Sequence, residues 1–216
     1  MVLKEEIIKL KHVSKFFRRN SIKALDDVSI SLYSGEIVGI VGGNGSGKST
    51  LLKAISGLIT PDSGIIERKF DIRVPCMMAV VLEGEQGLYK RLTSGEMMIH
   101  TAVLHGAKVD KALRRRSNML LSDFKINSKA FVGELSKGMK QKLVLSSALL
   151  LKPKVILLDE PTLGLDAEST NTLISHIKSL ADDESSLVLL ATHDVSFINE
   201  LPLRKYDMCS GRIIGQ

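Results

Sequence analysis

Three short runs of the chain are apolar at every position: Ile37-Val38-Gly39-Ile40-Val41, Val155-Ile156-Leu157-Leu158 and Leu187-Val188-Leu189-Leu190-Ala191. A run without alternation describes a strand covered on both faces, as in a parallel sheet wrapped by helices. Val80-Val81-Leu82 is a further buried strand of this kind. Ile7 to Phe17 and Ile22 to Leu32 carry alternation and β-branched residues instead, and Arg18-Arg19-Asn20-Ser21 between them reads as a turn. These two segments predict an antiparallel pair near the N-terminus. Ile65 to Glu67 and Ile72 to Val74 predict short strands.

Helical spacing appears elsewhere. Leu51, Leu52, Ala54 and Ile55 form one apolar face of a helix that begins near Lys48 and ends at Ser56-Gly57, before the turn cluster Thr60-Pro61-Asp62-Ser63-Gly64. Ser94 to about Leu121 predicts one long helix with Ser94 as N-cap and Met97, Met98, Ala102 and Leu104 as apolar positions. A further helix is predicted from Lys140 to Leu151, with Ser136 and Gly138 near its start. The basic run Lys111, Arg114, Arg115, Arg116 reads as a solvated helix face rather than a binding patch. No internal repeat or long linker interrupts the pattern.

The chemistry sits where strands end. After Val41 the chain reads Gly42-Gly43-Asn44-Gly45-Ser46-Gly47-Lys48-Ser49-Thr50, which fits G-x-x-x-x-G-K-[ST] between a buried strand and a helix. Cradling phosphates takes several backbone N–H groups aimed at one point, and only a loop of small residues allows that approach. The helix N-terminus adds its positive dipole end. Lys48 supplies a point charge for the β- and γ-phosphates, and the Ser49 hydroxyl suits Mg²⁺.

The run ending at Leu158 continues into Asp159-Glu160-Pro161. Acids at the C-terminal end of a buried parallel strand project into the ligand crevice. Asp159 suits Mg²⁺ held through water, and Glu160 suits polarising an attacking water. The run ending at Ala191 continues into Thr192-His193-Asp194, which brings an imidazole to the same sheet edge. Ser136 and Gly138 mark a second potential anion site, although any ordinary N-cap has that form. Phe16 and Phe17 close the first strand; one ring could stack on a base, or both could be core rings.

Composition narrows the class. The chain has 216 residues, 44% of them hydrophobic, enough for one large domain with a packed interior. Its net charge of +6 is compatible with anionic ligands or an anionic membrane surface. Cys76 and Cys209 lie far apart and read as free, buried thiols of a reducing compartment. The N-terminal stretch lacks a signal-peptide core, and the longest nearly apolar run, Leu143 to Leu151, contains two serines and is shorter than the roughly 20 residues of a membrane span. The expectation is a soluble, cytoplasmic protein that needs another chain to cross any membrane.

Taken in order, the phosphate loop, Leu135-Ser136-Lys137-Gly138-Met139, Leu158-Asp159-Glu160, Asp166 and His193 resemble the ATP-binding subunit of an ABC (ATP-binding cassette) transporter. The likeness covers nearly the whole chain. The family's usual L-S-G-G-Q stands here as L-S-K-G-M, with Ser136 and Gly138 kept and Lys137 and Met139 departing. The resemblance implies an α/β fold: a P-loop NTPase core with a mostly parallel sheet, an N-terminal antiparallel β-subdomain and a helical subdomain. About 1–83 and 152–216 form the core and about 84–151 the helical lobe of one domain.

The resemblance also implies a head-to-tail dimer enclosing two ATP molecules, with Ser136 and Gly138 meeting the γ-phosphate bound by the opposite protomer. Phe17 matches the adenine-stacking aromatic, Asp166 the residue linking the two sites, and His193 the switch histidine. The loop that normally supplies a Mg²⁺-contacting glutamine offers Glu83 and Gln86; Glu83, next to a strand, is the expected ligand. Val81-Leu82-Glu83-Gly84 and Leu88-Tyr89-Lys90-Arg91-Leu92-Thr93 look like bacterial exporters of drugs, antibiotics or polysaccharides. The implied function is ATP hydrolysis that powers a separate membrane-spanning permease from the inner face of the cell membrane, with no nucleic acid. Two other classes remain: a soluble ABC ATPase acting on nucleic acid or ribosomes, and a P-loop small-molecule kinase.

Overall fold

The structure is a computed structural model that describes residues 5–17, 22–84 and 87–215. Two sheets organise it. Strands β1 (Glu6–Phe17), β2 (Ile22–Tyr33) and β4 (Ser63–Arg68) form an antiparallel sheet in the order β2-β1-β4. Strands β3 (Ile37–Val41), β5 (Met78–Val81), β6 (Val155–Asp159), β7 (Leu187–Thr192), β8 (Arg204–Cys209) and β9 (Arg212–Gly215) form the second, in the order β5-β6-β7-β3-β8-β9. All its pairs are parallel except β8 with β9.

The apolar runs are strands with both faces covered. Every residue of β3, β6 and β7 is buried. Ile156, Leu158, Val188 and Leu190 face one core, shared with helices α2 (Ser94–Leu104), α3 (Lys111–Asp123), α4 (Lys137–Leu150) and α5 (Ala167–Asp182). Val155, Leu157, Leu187 and Leu189 face another, shared with α1 (Lys48–Ser56) and the antiparallel sheet. A short helix, α6 (Val195–Asn199), follows β7. Crossovers between parallel strands bring all their C-terminal ends to one edge, so the segments after β3, β6 and β7 share one crevice.

Several local expectations need correction. Ile72 to Val74 is not a strand: residues 71–77 form successive turns, with Cys76 in a left-handed conformation. The helix expected from Ser94 to Leu121 is two helices. The first ends before Gly106, whose φ of +72° cannot continue a helix, and the second is capped by the Asp110 carboxylate, which accepts from Leu113 N. The cap of α2 is Thr93, not Ser94, in a reciprocal box with Glu96. Helix α4 begins at Lys137, three residues earlier than expected, because Ser136 caps it by accepting from Met139 N. Strand β5 runs Met78–Val81 and leaves Leu82 outside. Cys76 is half-buried and Cys209 exposed, so neither is a buried thiol. Arg116 turns inward to donate to the Leu150 carbonyl and is not part of a purely solvated face. Phe16 and Phe17 are both exposed, which removes the reading as core rings. The expected turn at 18–21 and the candidate Gln86 lie outside the described residues.

Candidate active site

The loop after β3 is shaped by neighbours that leave no room for side chains. A Cβ on Gly42 would lie 2.2 Å from the Met208 carbonyl oxygen, and one on Gly47 would lie 2.4 Å from that of Ala24. Gly47 also has φ of +109°. Nothing lies within 4 Å of a Cβ placed on Gly43 or Gly45, so that side of the loop faces open space. The turn between β8 and β9 supports the loop from below, with Gly211 N donating to Ser46 O at 2.8 Å. Gly47 caps α1 without any side-chain hydrogen bond, so the first amides of the helix, at Lys48, Ser49 and Thr50, stay available to an anion.

Lys48 is buried, yet among the described residues its ammonium group rests on two neutral acceptors and one more distant carboxylate. Nζ donates to Gly42 O at 2.8 Å and Gly43 O at 3.2 Å and stands 3.7 Å from Glu160 Oε1. Asn44 lies at the exposed tip of the same loop.

Asp159 ends β6 and Glu160 directly follows it, but the two carboxylates lie in different surroundings. Burial pushes the Asp159 carboxyl up from its ordinary pKa; a hydrogen bond from Ser49 opposes this, and the Glu160 and Glu83 carboxylates reinforce it. Asp159 Oδ1 is buried with no hydrogen-bond partner among the described residues. Burial also acts to raise the Glu160 carboxyl, but hydrogen bonds from His193 and Thr192 outweigh it and the net direction is down. Glu160 therefore stays ionised beside the loop. Its backbone is left-handed, with φ of +46°, a conformation that a non-glycine residue adopts at a cost of about 1 kcal/mol or more. That twist turns the carboxylate back toward β7. Thr192 Oγ1 donates to Oε2 at 2.8 Å, and His193 Nδ1 lies 2.9 Å from Oε1.

Thr192 is the site residue that sequence reasoning passed over as part of a strand ending. It is fully buried, donates to Glu160 and accepts from Asp194 N at 3.0 Å. A hydroxyl at the last position of an otherwise aliphatic strand was the available signal.

Glu83 borders this cluster, and the other candidates lie on other elements of the chain. Glu83 sits in an exposed bend two residues beyond β5, close enough to Asp159 to act on its charge. Ser136 and Gly138 open α4, and a Cβ on Gly138 would lie 2.6 Å from the Gly164 carbonyl, so this glycine is required by packing against the loop after β6. Asp166 caps α5 by accepting from Ser169 N at 2.8 Å and pairs with Lys142 at 2.7 Å. That lysine, first, and the cap together hold its carboxyl well below the usual range. Phe17 is exposed at the end of β1, with Lys15 Nζ 5.8 Å from its ring centroid.

A glycine cradle at a helix N-terminus, a buried lysine beside it and an ionised glutamate just beyond the end of β6 define a P-loop ATPase. The chain belongs to the ABC transporter family, whose model matches residues 25–163, and it is the ATP-binding, ATP-hydrolysing subunit. It is 33% identical over 205 residues to the ABC transporter ATP-binding protein NatA of Bacillus subtilis (strain 168), covering 91% of this chain and 82% of that one. The solved structure of the ATP-binding subunit of an ABC transporter superposes with a TM-score of 0.84 at 29% identity, covering 96% of this chain and 88% of the other. A dimeric, post-hydrolysis ATP-binding cassette bound to ADP and phosphate superposes with a TM-score of 0.82 at 25% identity, covering 96% of each chain. The α/β architecture with its antiparallel sheet and helices is that of these cassettes. Subunits of this kind work with a membrane component, and among the described residues no helix here is long and apolar enough to cross a membrane.

Proposed function

We propose that this subunit acts as a head-to-tail dimer on the inner face of the cell membrane and drives export through a separate permease. The observation that carries the catalytic part is the convergence of Lys48, Asp159, Glu160 and His193 at one sheet edge. In this reading the amides of Gly43 to Thr50 and Lys48 bind the triphosphate. Glu160, oriented by Thr192 and His193, takes up the proton of the attacking water, and His193 meets the γ-phosphate. Catalysis is then mainly positioning and charge stabilisation. The export assignment rests on the residues after β5, from Val81 to Thr93. The groove between β5, α2 and α4, lined by Val81, Leu88, Met97, Leu104, Val144 and Leu151, gives an apolar surface beside that loop for a permease segment.

The site fits Mg²⁺. The buried Asp159 carboxylate, the half-buried Glu160 and the nearby Glu83 surround one lysine, and Asp159 keeps an orphan oxygen. Among the described residues no three acids, imidazoles or thiols form a metal site by themselves, which suits an ion that arrives with the nucleotide. Ser49, Asp159 and Glu83 would hold it, and it would neutralise charge on the phosphates. Glu83→Gln should retain much of the Mg²⁺-dependent ATPase rate and Glu83→Ala should lower it; an unchanged rate in Glu83→Ala removes Glu83 from the set.

The dimer assignment has its own test. Ser136 caps α4 at an exposed position, and the amides before Met139 have no intrahelical partner. If a second copy's Ser136 and Gly138 complete each site, ATPase activity per molecule rises with protein concentration. A constant rate from a protein that light scattering shows to be monomeric overturns the dimer.

Phe17 carries base recognition in this reading. Because every base offers a π-face, GTP should compete with ATP, and Phe17→Ala should weaken binding by about 1–3 kcal/mol in calorimetry. Loss of affinity in Phe16→Ala with none in Phe17→Ala moves the stack to the neighbouring ring.

A further inference from the structure

A second cavity lies away from the nucleotide crevice, between α3, the end of α4 and α5, with a volume of about 400 Å³. Its floor is apolar, formed by Met119, Leu120, Leu149 and Leu180, and its rim carries Arg115, Arg116, Lys152 and His176 together with one carboxylate, Glu184. Ligand sites commonly combine such an apolar body with a few polar groups that fix orientation.

The charges at the rim do not cancel. Lys152 is paired with Glu184, and His176 Nε2 lies 3.1 Å from Asp123 Oδ2. The Asp183 carboxylate accepts from Ser179 Oγ at 2.7 Å, so the nearby acids already have partners. Arg116 donates from both Nε and Nη2 to the neutral Leu150 carbonyl, which engages that edge of the guanidinium and leaves its charge without a carboxylate partner. Arg115 makes no hydrogen bond or ion pair among the described residues. Two guanidinium groups thus stand over an apolar floor, and Met119 remains half exposed there.

We propose that this cavity binds a small amphipathic carboxylate, its alkyl body on Met119 and Leu180 and its carboxylate on Arg115 and Arg116. A planar guanidinium offers a carboxylate two parallel donors, and the floor favours an alkyl chain over a compact, hydrated anion such as phosphate. Since α3 and α5 stand on opposite sides of the cavity, the bound molecule ties these two helices together.

The test follows the methionine methyl resonances of the full chain, ¹³C-labelled at its 8 methionines, with Met119 assigned by its loss in Met119→Leu. Octanoate should shift the Met119 methyl saturably. Arg115→Ala should weaken that binding by about tenfold or more, the loss of one charge-assisted contact. Arg114→Ala, an exposed cation of the same helix that does not line the cavity, should leave it within about twofold, as expected for a surface charge. Octylammonium should give no saturable shift. The proposal is overturned by the absence of a saturable Met119 shift with octanoate, by equal losses in Arg115→Ala and Arg114→Ala, or by octylammonium matching octanoate.

Discussion

Glu160→Gln should bind ATP at least as tightly as the wild-type chain and hydrolyse it about 10²–10⁴-fold more slowly, the usual contribution of a general base. The amide has nearly the shape of the carboxylate, so its oxygen still accepts from Thr192 Oγ1, now 2.8 Å from Oε2. The ability to take a proton is lost, and so is the negative charge 3.7 Å from Lys48 Nζ. Removing that charge frees the lysine for phosphate and relieves repulsion of the triphosphate, so affinity holds or improves while turnover falls. Calorimetry for binding and phosphate release for turnover separate the two effects. Thr192→Val distinguishes orientation from charge: it keeps the carboxylate and removes one of its supports, and it should lower kcat with little change in KM. A Glu160→Gln chain that releases phosphate at the wild-type rate would show that the proton goes elsewhere.

The parts of this site legible in the sequence are those governed by local pattern. The phosphate loop is contiguous and its motif can be read along the chain, although the close approaches that exclude side chains at Gly42 and Gly47 come from Met208 and Ala24. Leu157-Leu158-Asp159 and Leu190-Ala191-Thr192 announce buried strands because apolar residues occupy both faces, and the structure buries them all. What escaped the sequence depends on contacts between distant segments. The requirement for glycine at position 138 comes from Gly164, and Asp166 is engaged by Lys142 on another helix. The left-handed backbone at Glu160 accompanies contacts with β7: Glu160 N donates to Ala191 O at 2.7 Å, and the carboxylate meets Thr192 and His193. Ile72 to Val74 failed for a related reason. The alternation Ile72-Arg73-Val74 suits a strand, but among the described residues no neighbouring strand pairs with it, and Val74 N instead closes a turn onto Asp71 O. The long helix is broken because Gly106, with φ of +72°, interrupts an apolar spacing that continues on either side of it.

The largest loss of affinity should come from Lys48→Met, which should raise the Kd for ATP by about 100-fold or more. A hydrogen bond to a charged group contributes about 1.5–3 kcal/mol, and each 1.4 kcal/mol is a factor of ten, so two such contacts to the phosphates reach that range. Methionine is the informative replacement because it keeps a long, unbranched stem in a buried position and removes only the charge. Its cost to the fold is the loss of two hydrogen bonds to Gly42 O and Gly43 O, at 2.8 and 3.2 Å, and Gly43 borders open space where water can replace the donor. The thermal midpoint should therefore fall by only a few degrees, in line with about 1 kcal/mol per net hydrogen bond. With Glu160 left facing the phosphates and no lysine between them, the remaining charge balance opposes binding. Glu160→Gln combined with Lys48→Met should then recover part of the lost affinity, because the repulsion is gone although the attraction is not restored. Calorimetric titration of the two single variants and the double variant gives the coupling between these side chains directly. If Lys48→Met alone binds ATP within about threefold of wild type, well under the tenfold of 1.4 kcal/mol, the loop amides carry the triphosphate and the lysine belongs to the loop's own architecture.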